Sequence, residues 1–298
     1  MNNKAFKSGI VSISGNPNVG KSTLLNFILG QKLAIVTPKA QTTRGAIRGI
    51  YNEEEMQILF IDNPGFLKPK SMLDDFMLKQ ARKSIKDADL IYYVVEPRVP
   101  DELEVKNQLA SFKREKKPVI LLINKVDSLP RAEVLPVIDK FKSMFEFLDV
   151  FPISAVKGDN IDALLKKTKD SLPEGEAIFP TDMVSDQYEK YFVEELIREK
   201  IFFLTQQEIP YSATVKVKEF KQQDEGKLFI RAEIIVERES HKPIIIGKGG
   251  LMIKKIGQKS RMEIEKFLGE PCYLELFVKV VKDWKNIDSK LRNLGYER

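Results

Sequence analysis

Gly15-Asn16-Pro17-Asn18-Val19-Gly20-Lys21-Ser22 decides how the first part of this chain folds. The spacing is GxxxxGK[ST]. Before it, Gly9-Ile10-Val11-Ser12-Ile13 is an apolar run that predicts a buried strand. Behind it, Leu24, Leu25, Phe27, Ile28 and Leu29 predict a helix closed by Gly30. A strand, a glycine loop and a helix in that order curl backbone N–H groups around phosphate oxygens, and the helix N-terminus favours negative charge. Lys21 is expected to reach the β- and γ-phosphates and Ser22 to bind Mg²⁺ through its hydroxyl. Gly15, Asn16, Asn18, Val19, Gly20 and Thr23 are the expected remainder of the cradle.

Working outward, strand-like runs recur near 49–51, 57–61, 90–95, 119–123 and 150–153, with helical patterns around 75–86, 102–115, 131–147 and 160–171. Apolar strands separated by helices predict a mostly parallel sheet covered on both faces. The runs near 50 and 58, joined by Asn52-Glu53-Glu54-Glu55, predict a hairpin and one antiparallel edge strand.

Three further loops fall at the carboxyl ends of predicted strands, where open α/β sheets bind ligands. Asp62-Asn63-Pro64-Gly65 follows the strand 57–61. A bare DxxG is an ordinary turn, but after a phosphate loop Asp62 is placed to hold Mg²⁺ through water, and the Gly65 N–H to meet a γ-phosphate. Asn124-Lys125-Val126-Asp127 follows 119–123. Asp127 can accept two hydrogen bonds from guanine; adenine lacks that donor pair and leaves the carboxylate unsatisfied. Asn124 can bond the base's other edge and brace loops, while Lys125 covers the ring. Ser154-Ala155-Val156-Lys157-Gly158 ends the last strand, and the Ala155 N–H can donate to guanine O6. Gln41-Thr42-Thr43-Arg44 can complete the Mg²⁺ shell with a hydroxyl, from Thr43 or, failing that, Thr42.

This ordered set resembles the signature of GTPases across the whole first domain. The resemblance implies GTP and GDP as ligands, Mg²⁺ as cofactor, and Lys21, Thr43, Gly65 and Asn18 as catalytic residues. Phe66 stands where Ras-like enzymes carry a water-orienting Gln. Related GTPases with an apolar residue there use K⁺ held partly by a P-loop Asn, which Asn18 matches. Slow hydrolysis stimulated by K⁺ or by a partner is the expectation.

Pro173-Glu174-Gly175-Glu176-Ala177-Ile178-Phe179-Pro180 breaks the alternation and reads as a linker. The expected domains are 1–172, a linker at 173–182, and 183–298. The second domain reads as an amphipathic helix (186–207), two alternating strands, a helix pair split by glycines, a strand near 273–280 and a last helix from about Trp284. Its Ile246-Gly247-Lys248-Gly249-Gly250 contains the GXXG that lets two helices meet while backbone N–H groups clamp a single strand's phosphates. The element order resembles a type II KH module. Ile244–Ile246 and Leu251–Ile253 are the expected apolar floor, and Lys248, Lys254 and Lys255 the expected phosphate contacts.

Composition fits these readings. Of 298 residues, 49 are basic and 43 acidic, so net charge alone names no partner. The excess is local: residues 241–269 carry seven Lys/Arg against two Glu. No apolar run approaches the ~20 residues that cross a bilayer. The N-terminus runs straight into the first strand, so no signal peptide and a cytoplasmic location are expected. The single Cys272 predicts a buried, inert thiol, and the single His241 a turn residue.

An α/β P-loop GTPase domain followed by an α+β type II KH domain resembles the Era family of bacterial GTPases. Gln41–Arg44, Asp62–Gly65, Val278–Trp284 and Leu294-Gly295-Tyr296 are typical of that family. The resemblance implies binding near the 3′ end of small-subunit ribosomal RNA during 30S assembly, no DNA partner, a monomer, and peripheral association with the inner membrane surface. Rival readings are a GTP switch whose second module binds protein, and an RNA chaperone in which nucleotide is structural.

Overall fold

The computed structural model describes residues 5–39, 42–223 and 226–296. Gln41, one of the residues expected near the metal, lies outside them. The chain divides into two compact units.

The first unit comprises residues 1–34, 43–68 and 77–186. Its elements are β1 (Lys7–Gly15), α1 (Lys21–Leu29), β2 (Ile47–Glu53), β3 (Met56–Asp62), α2 (Met72–Asp87), β4 (Leu90–Val95), α3 (Glu102–Glu115), β5 (Val119–Ile123), α4 (Arg131–Lys142), β6 (Asp149–Pro152) and α5 (Ile161–Ser171). The first turn of α2 falls in the second unit. The sheet order is β2-β3-β1-β4-β5-β6. Only β2 runs antiparallel, through its hairpin with β3, as the acidic turn between them predicted. Every residue of β3, β4 and β5 is buried, which is why these strands read as continuous apolar runs rather than alternations. The Tyr93 ring meets Phe112 edge-on at 5.3 Å and so seats α3 on the sheet. β1 lies centrally, with strands added on one side before and on the other side after β3, so the crevice at its carboxyl end is the place for a ligand.

Two boundaries differ from the sequence expectation. The helix expected over 131–147 stops at Lys142, because Phe145 and Phe147 turn back to pack on each other (5.0 Å) and on the core. The expected linker 173–182 is bonded to the first unit. Ser8 N–H donates to the Pro173 carbonyl (3.2 Å), and Gly175 N–H to that of Phe6 (3.0 Å). Gln57 Oε1 accepts from the N–H groups of Ile178 and Phe179 (2.6 and 2.8 Å). Its prolines and glycine exclude a helix, but its backbone groups still need partners. The units part after Asp186.

The second unit comprises residues 35–42, 69–76 and 187–298. Its elements are α6 (Glu189–Leu204), α7 (Ile209–Ser212), β7 (Ala213–Gln222), β8 (Leu228–Val236), α8 (His241–Ile246), α9 (Leu251–Leu268), β9 (Cys272–Val280) and α10 (Asp288–Asn293). β7 pairs antiparallel with β8, and β8 parallel with β9. Ile197, Ile201, Ile230, Ile234, Ile256 and Ile264 fill the core between helices and sheet. His241 is not in a turn. It is buried at the start of α8, its Nδ1 3.3 Å from Ser212 Oγ. The helix expected from Trp284 is a single 3₁₀ turn and then α10, since Ile287 between them is extended. Trp284 is buried and donates its indole N–H to the Ser212 carbonyl (3.0 Å).

Candidate functional site

The loop from Gly15 to Gly20 leaves β1 and enters α1. Gly20 adopts φ +101°, and a Cβ there would stand 2.2 Å from Asn124 Nδ2. A side chain would therefore push apart the two loops that define the crevice. Lys21 is buried, with its ammonium donating to the carbonyls of Gly15 (3.1 Å) and Asn16 (2.8 Å). Burial lowers its pKa to about 8, with Asp62 opposing the shift. Val19 is buried, Thr23 half-buried, and Asn18 exposed at φ +65°.

Ser22, Thr43 and Asp62 converge beside it. Ser22 Oγ donates to Asp62 Oδ2 at 2.5 Å and lies 3.2 Å from Thr43 Oγ1. Asp62 is fully buried, and its Oδ1 has no hydrogen-bond partner among the described residues. Burial raises the Asp62 pKa to about 6, against the pull of Lys21, Ser22 and Thr43. A buried carboxylate with an unspent oxygen and two hydroxyls makes a hard, all-oxygen donor set. That set fits Mg²⁺, which keeps several waters and takes one or two protein oxygens beside phosphate. The Phe66 N–H donates to the Gly15 carbonyl (3.3 Å), which brings Gly65 against the P-loop. The Phe66 ring turns away to pack against Phe112 (6.2 Å).

At the base end, Asp127 is exposed in the 3₁₀ turn Val126–Ser128. Lys125 lies across to the P-loop, its Nζ 2.7 Å from the Asn18 carbonyl and 2.6 Å from Glu96 Oε1. Asn124 uses both ends of its amide on protein. Nδ2 donates to the Val19 carbonyl (2.8 Å), and Oδ1 accepts from the Ala155 N–H (2.9 Å). The sequence expectation gave Asn124 both the base's edge and the bracing of neighbouring loops, and gave the Ala155 N–H the guanine O6. Both groups are here engaged in bracing three loops, because each is buried and needs a partner. Ser154 is buried, and its hydroxyl accepts from the Lys157 N–H (3.2 Å).

One residue of this site was not singled out by sequence. Gln108 of α3 donates to Asn16 Oδ1 at 2.7 Å and accepts from the Tyr93 hydroxyl at 2.6 Å. It stands in the core-facing row Val105, Gln108, Leu109, Phe112. An amide in an apolar helical row is the signal that could have found it.

In the second unit, Gly247 to Gly250 joins α8 to α9. Gly247 adopts φ +73°, and a Cβ there would lie 2.6 Å from that of Met252, so only glycine lets the helices meet this closely. Lys248, Lys254 and Lys255 are exposed. A groove of about 340 Å³ follows, with Ile253, Lys254, Gly257 and Arg261 on one wall and Tyr273 and Leu276 on the other. The second wall is β9, an edge strand of its sheet, which leaves a row of backbone donors and acceptors along the groove. The expected apolar floor is smaller than predicted. Ile253 is half-buried and lines the groove, whereas Ile246 and Met252 are half-buried outside its lining, Ile245 is wholly in the core, and Ile244 and Leu251 are exposed. A helical turn can aim only part of a six-residue apolar set at one surface.

The sequence matches the family described as 50S ribosome-binding GTPase over residues 10–125, and the KH domain over residues 208–285. A GTPase Era from Ruminiclostridium cellulolyticum is 45% identical over 293 residues, 98% of each chain. An Aquifex aeolicus Era variant crystallised with GDP.AlF4- superposes with a TM-score of 0.93 at 44% identity, over 98% of this chain and 100% of that one. The same values hold for an Era structure in complex with MgGDPNP and nucleotides 1506–1542 of 16S ribosomal RNA.

Proposed function

The chain belongs to the Era family of GTPases, and we propose that it uses GTP to control its grip on the 3′ region of small-subunit ribosomal RNA during 30S assembly. The observation that carries the reading is the cluster in which Ser22, Thr43 and Asp62 meet beside Lys21. It supplies a cation, two hydroxyls and a carboxylate at one point, which is what a triphosphate with its metal requires. Support for the RNA comes from the relative that holds 16S ribosomal RNA nucleotides, and from the GXXG groove of this chain.

Lys21 neutralises phosphate charge, and the P-loop N–H groups bind the oxygens without reorganising during reaction. Ser22, Thr43 and Asp62 would hold Mg²⁺. When bound, that ion supplies charge neutralisation on the β- and γ-phosphoryl oxygens. The Gly65 N–H would meet the γ-phosphate. Phe66 cannot orient a water, so chemistry rests on positioning and charge, and we assign Asn18 the further role of K⁺ ligand. Loss of the γ-phosphoryl group removes the partner of Thr43 and Gly65 and releases their segments.

The same proposal holds the protein to be a cytoplasmic monomer with peripheral attachment at the inner face of the membrane. No helix among the described residues is long and apolar enough to cross one. Crosslinking in lysate followed by sequencing tests the reading. Recovery of 16S 3′-end fragments is expected, and recovery of protein partners without RNA contradicts it.

A further inference from the structure

Within the first unit, Asn18 of the P-loop and Lys125 of the loop after β5 both adopt a left-handed backbone, at φ +65° each. A side chain makes that conformation costly, so it persists where surrounding bonds fix it. One bond joins the two residues: Lys125 Nζ donates to the Asn18 carbonyl at 2.7 Å. The same ammonium donates to Glu96 Oε1 at 2.6 Å. Glu96 directly follows Val95, the last residue of β4, and the Val95 carbonyl accepts from the Asn124 N–H at 2.9 Å. Glu96 is thus rooted at the end of a buried strand, next to the bond that seats the base loop. Its other oxygen, Oε2, lies 3.3 Å from Nε of the exposed Arg98.

Unaided, a lysine is a poor strut. Its four-carbon stem is flexible and its ammonium strongly hydrated, so a single carbonyl holds it weakly against water and rotamer freedom. A carboxylate on a strand end changes the balance, because a charge-assisted hydrogen bond is about twice as strong as a neutral one. The Glu96 side chain is 25% exposed and that of Lys125 42%, so the pair is shielded from solvent only in part and still responds to salt. With both acceptors in place the lysine spans from the base loop to the P-loop. Its apolar stem is the part expected to cover the guanine ring.

We propose that Glu96 is a positioning residue for nucleotide binding: it pins the Lys125 ammonium, so that the lysine ties the base loop to the P-loop and slows the release of nucleotide. Glu96 acts through Lys125 and makes no contact with the nucleotide itself. Its effect falls on GDP and GTP alike, because both carry the base and the phosphates that the two loops hold. The inference rests on the reading above in which Asn124 to Asp127 takes the base.

The test uses the full chain with Glu96→Ala, Glu96→Gln, Lys125→Met and the Glu96→Ala/Lys125→Met double variant. Binding and release of fluorescent GDP and of a fluorescent non-hydrolysable GTP analogue are followed by stopped flow at low and high KCl, beside urea melts of the nucleotide-free protein. At low salt E96A is expected to release both nucleotides about fivefold faster than the unaltered protein, the upper end for a partly exposed charge pair. Association rates stay within about twofold, since such changes fall mostly on dissociation. The urea midpoint is unchanged. E96Q, which keeps an acceptor but not the charge, falls between. High salt narrows the gap between E96A and the unaltered protein, which a packing defect would not do. If Glu96 acts through Lys125, the double variant releases no faster than K125M. Release from E96A at the unaltered rate, or effects of E96A and K125M that simply add, overturns the proposal. So does a fall in the urea midpoint that accounts for the faster release. An Asp127→Ala variant that holds guanine nucleotides as tightly as the unaltered protein sinks the reading of the base site instead.

Discussion

The Gln108 side chain hydrogen-bonds Asn16 Oδ1 at 2.7 Å, and the backbone carbonyl of Asn16 accepts from Lys21 at 2.8 Å. A core residue of α3 thus stands behind the phosphate-binding lysine. Gln108→Leu breaks the first link and also strands the Tyr93 hydroxyl, buried and bonded to the same amide. Nucleotide affinity is expected to fall by about 1–2 kcal/mol for GDP and GTP alike. Adding Tyr93→Phe restores stability in urea melts but not affinity. If the double variant regains nucleotide affinity as well, Gln108 serves only the core.

Asn18→Ala addresses the choice of monovalent ion. The unaltered protein is expected to hydrolyse GTP faster in KCl than in NaCl, and the variant to lose that difference. Equal rates in both salts for both proteins remove K⁺ from the account.

The GXXG turn separates two functions cleanly. Replacing Lys248 and Gly249 by Asp puts negative charge where phosphate is expected, at two exposed positions; a Cβ on Gly249 meets nothing within 4 Å, and its φ of +59° is one that Asp adopts more readily than most residues. RNA binding is expected to vanish, while GTP turnover without RNA is unchanged. Gly247→Ala differs, because at a similarly positive φ of +73° its Cβ would also stand 2.6 Å from that of Met252, which makes it a folding lesion. It is expected to cost about 1–3 kcal/mol in denaturant titration. RNA affinity retained by the Asp variants contradicts the groove assignment.

Cys272 gives a pH test of the second unit. Burial pushes its thiol up to about 11, from an ordinary value of 9.0. Between those values the folded chain keeps a proton that the unfolded chain has lost, so stability present below pH 9 declines as pH rises toward 11. At pH 8 the thiol is expected to react with a disulfide reagent only at the rate of local unfolding. Immediate reaction shows that β9 is open there.

Much of the nucleotide site was legible because its chemistry is local. Gly15 to Ser22, Asp62 to Gly65 and Asn124 to Asp127 each sit at a strand end, and apolar runs mark strand ends plainly. The second unit's order was legible for the same reason, since 230–234 of β8 alternates and α9 buries Ile256, Ser260 and Ile264 at helical spacing. Other features depend on partners distant in sequence. Gln108 and Arg198 occupy core-facing helical positions that a pattern reading fills with apolar side chains. The bond from the Ala155 N–H to Asn124 Oδ1, 31 positions away, is likewise a tertiary feature that no local pattern marks. The segments 35–42 and 69–76 look like loops of the first unit, and only tertiary bonds such as Arg198 to Thr42 assign them to the second.

The central claim is that the terminal phosphate of GTP changes how tightly the second unit holds RNA. The direct measurement is the Kd of the full chain for a 16S 3′-end oligonucleotide at fixed salt, with Mg²⁺ and either GDP or a non-hydrolysable GTP analogue. The account predicts that the two values differ by about tenfold or more. Equal values would contradict it and leave an RNA-binding protein in which nucleotide is structural.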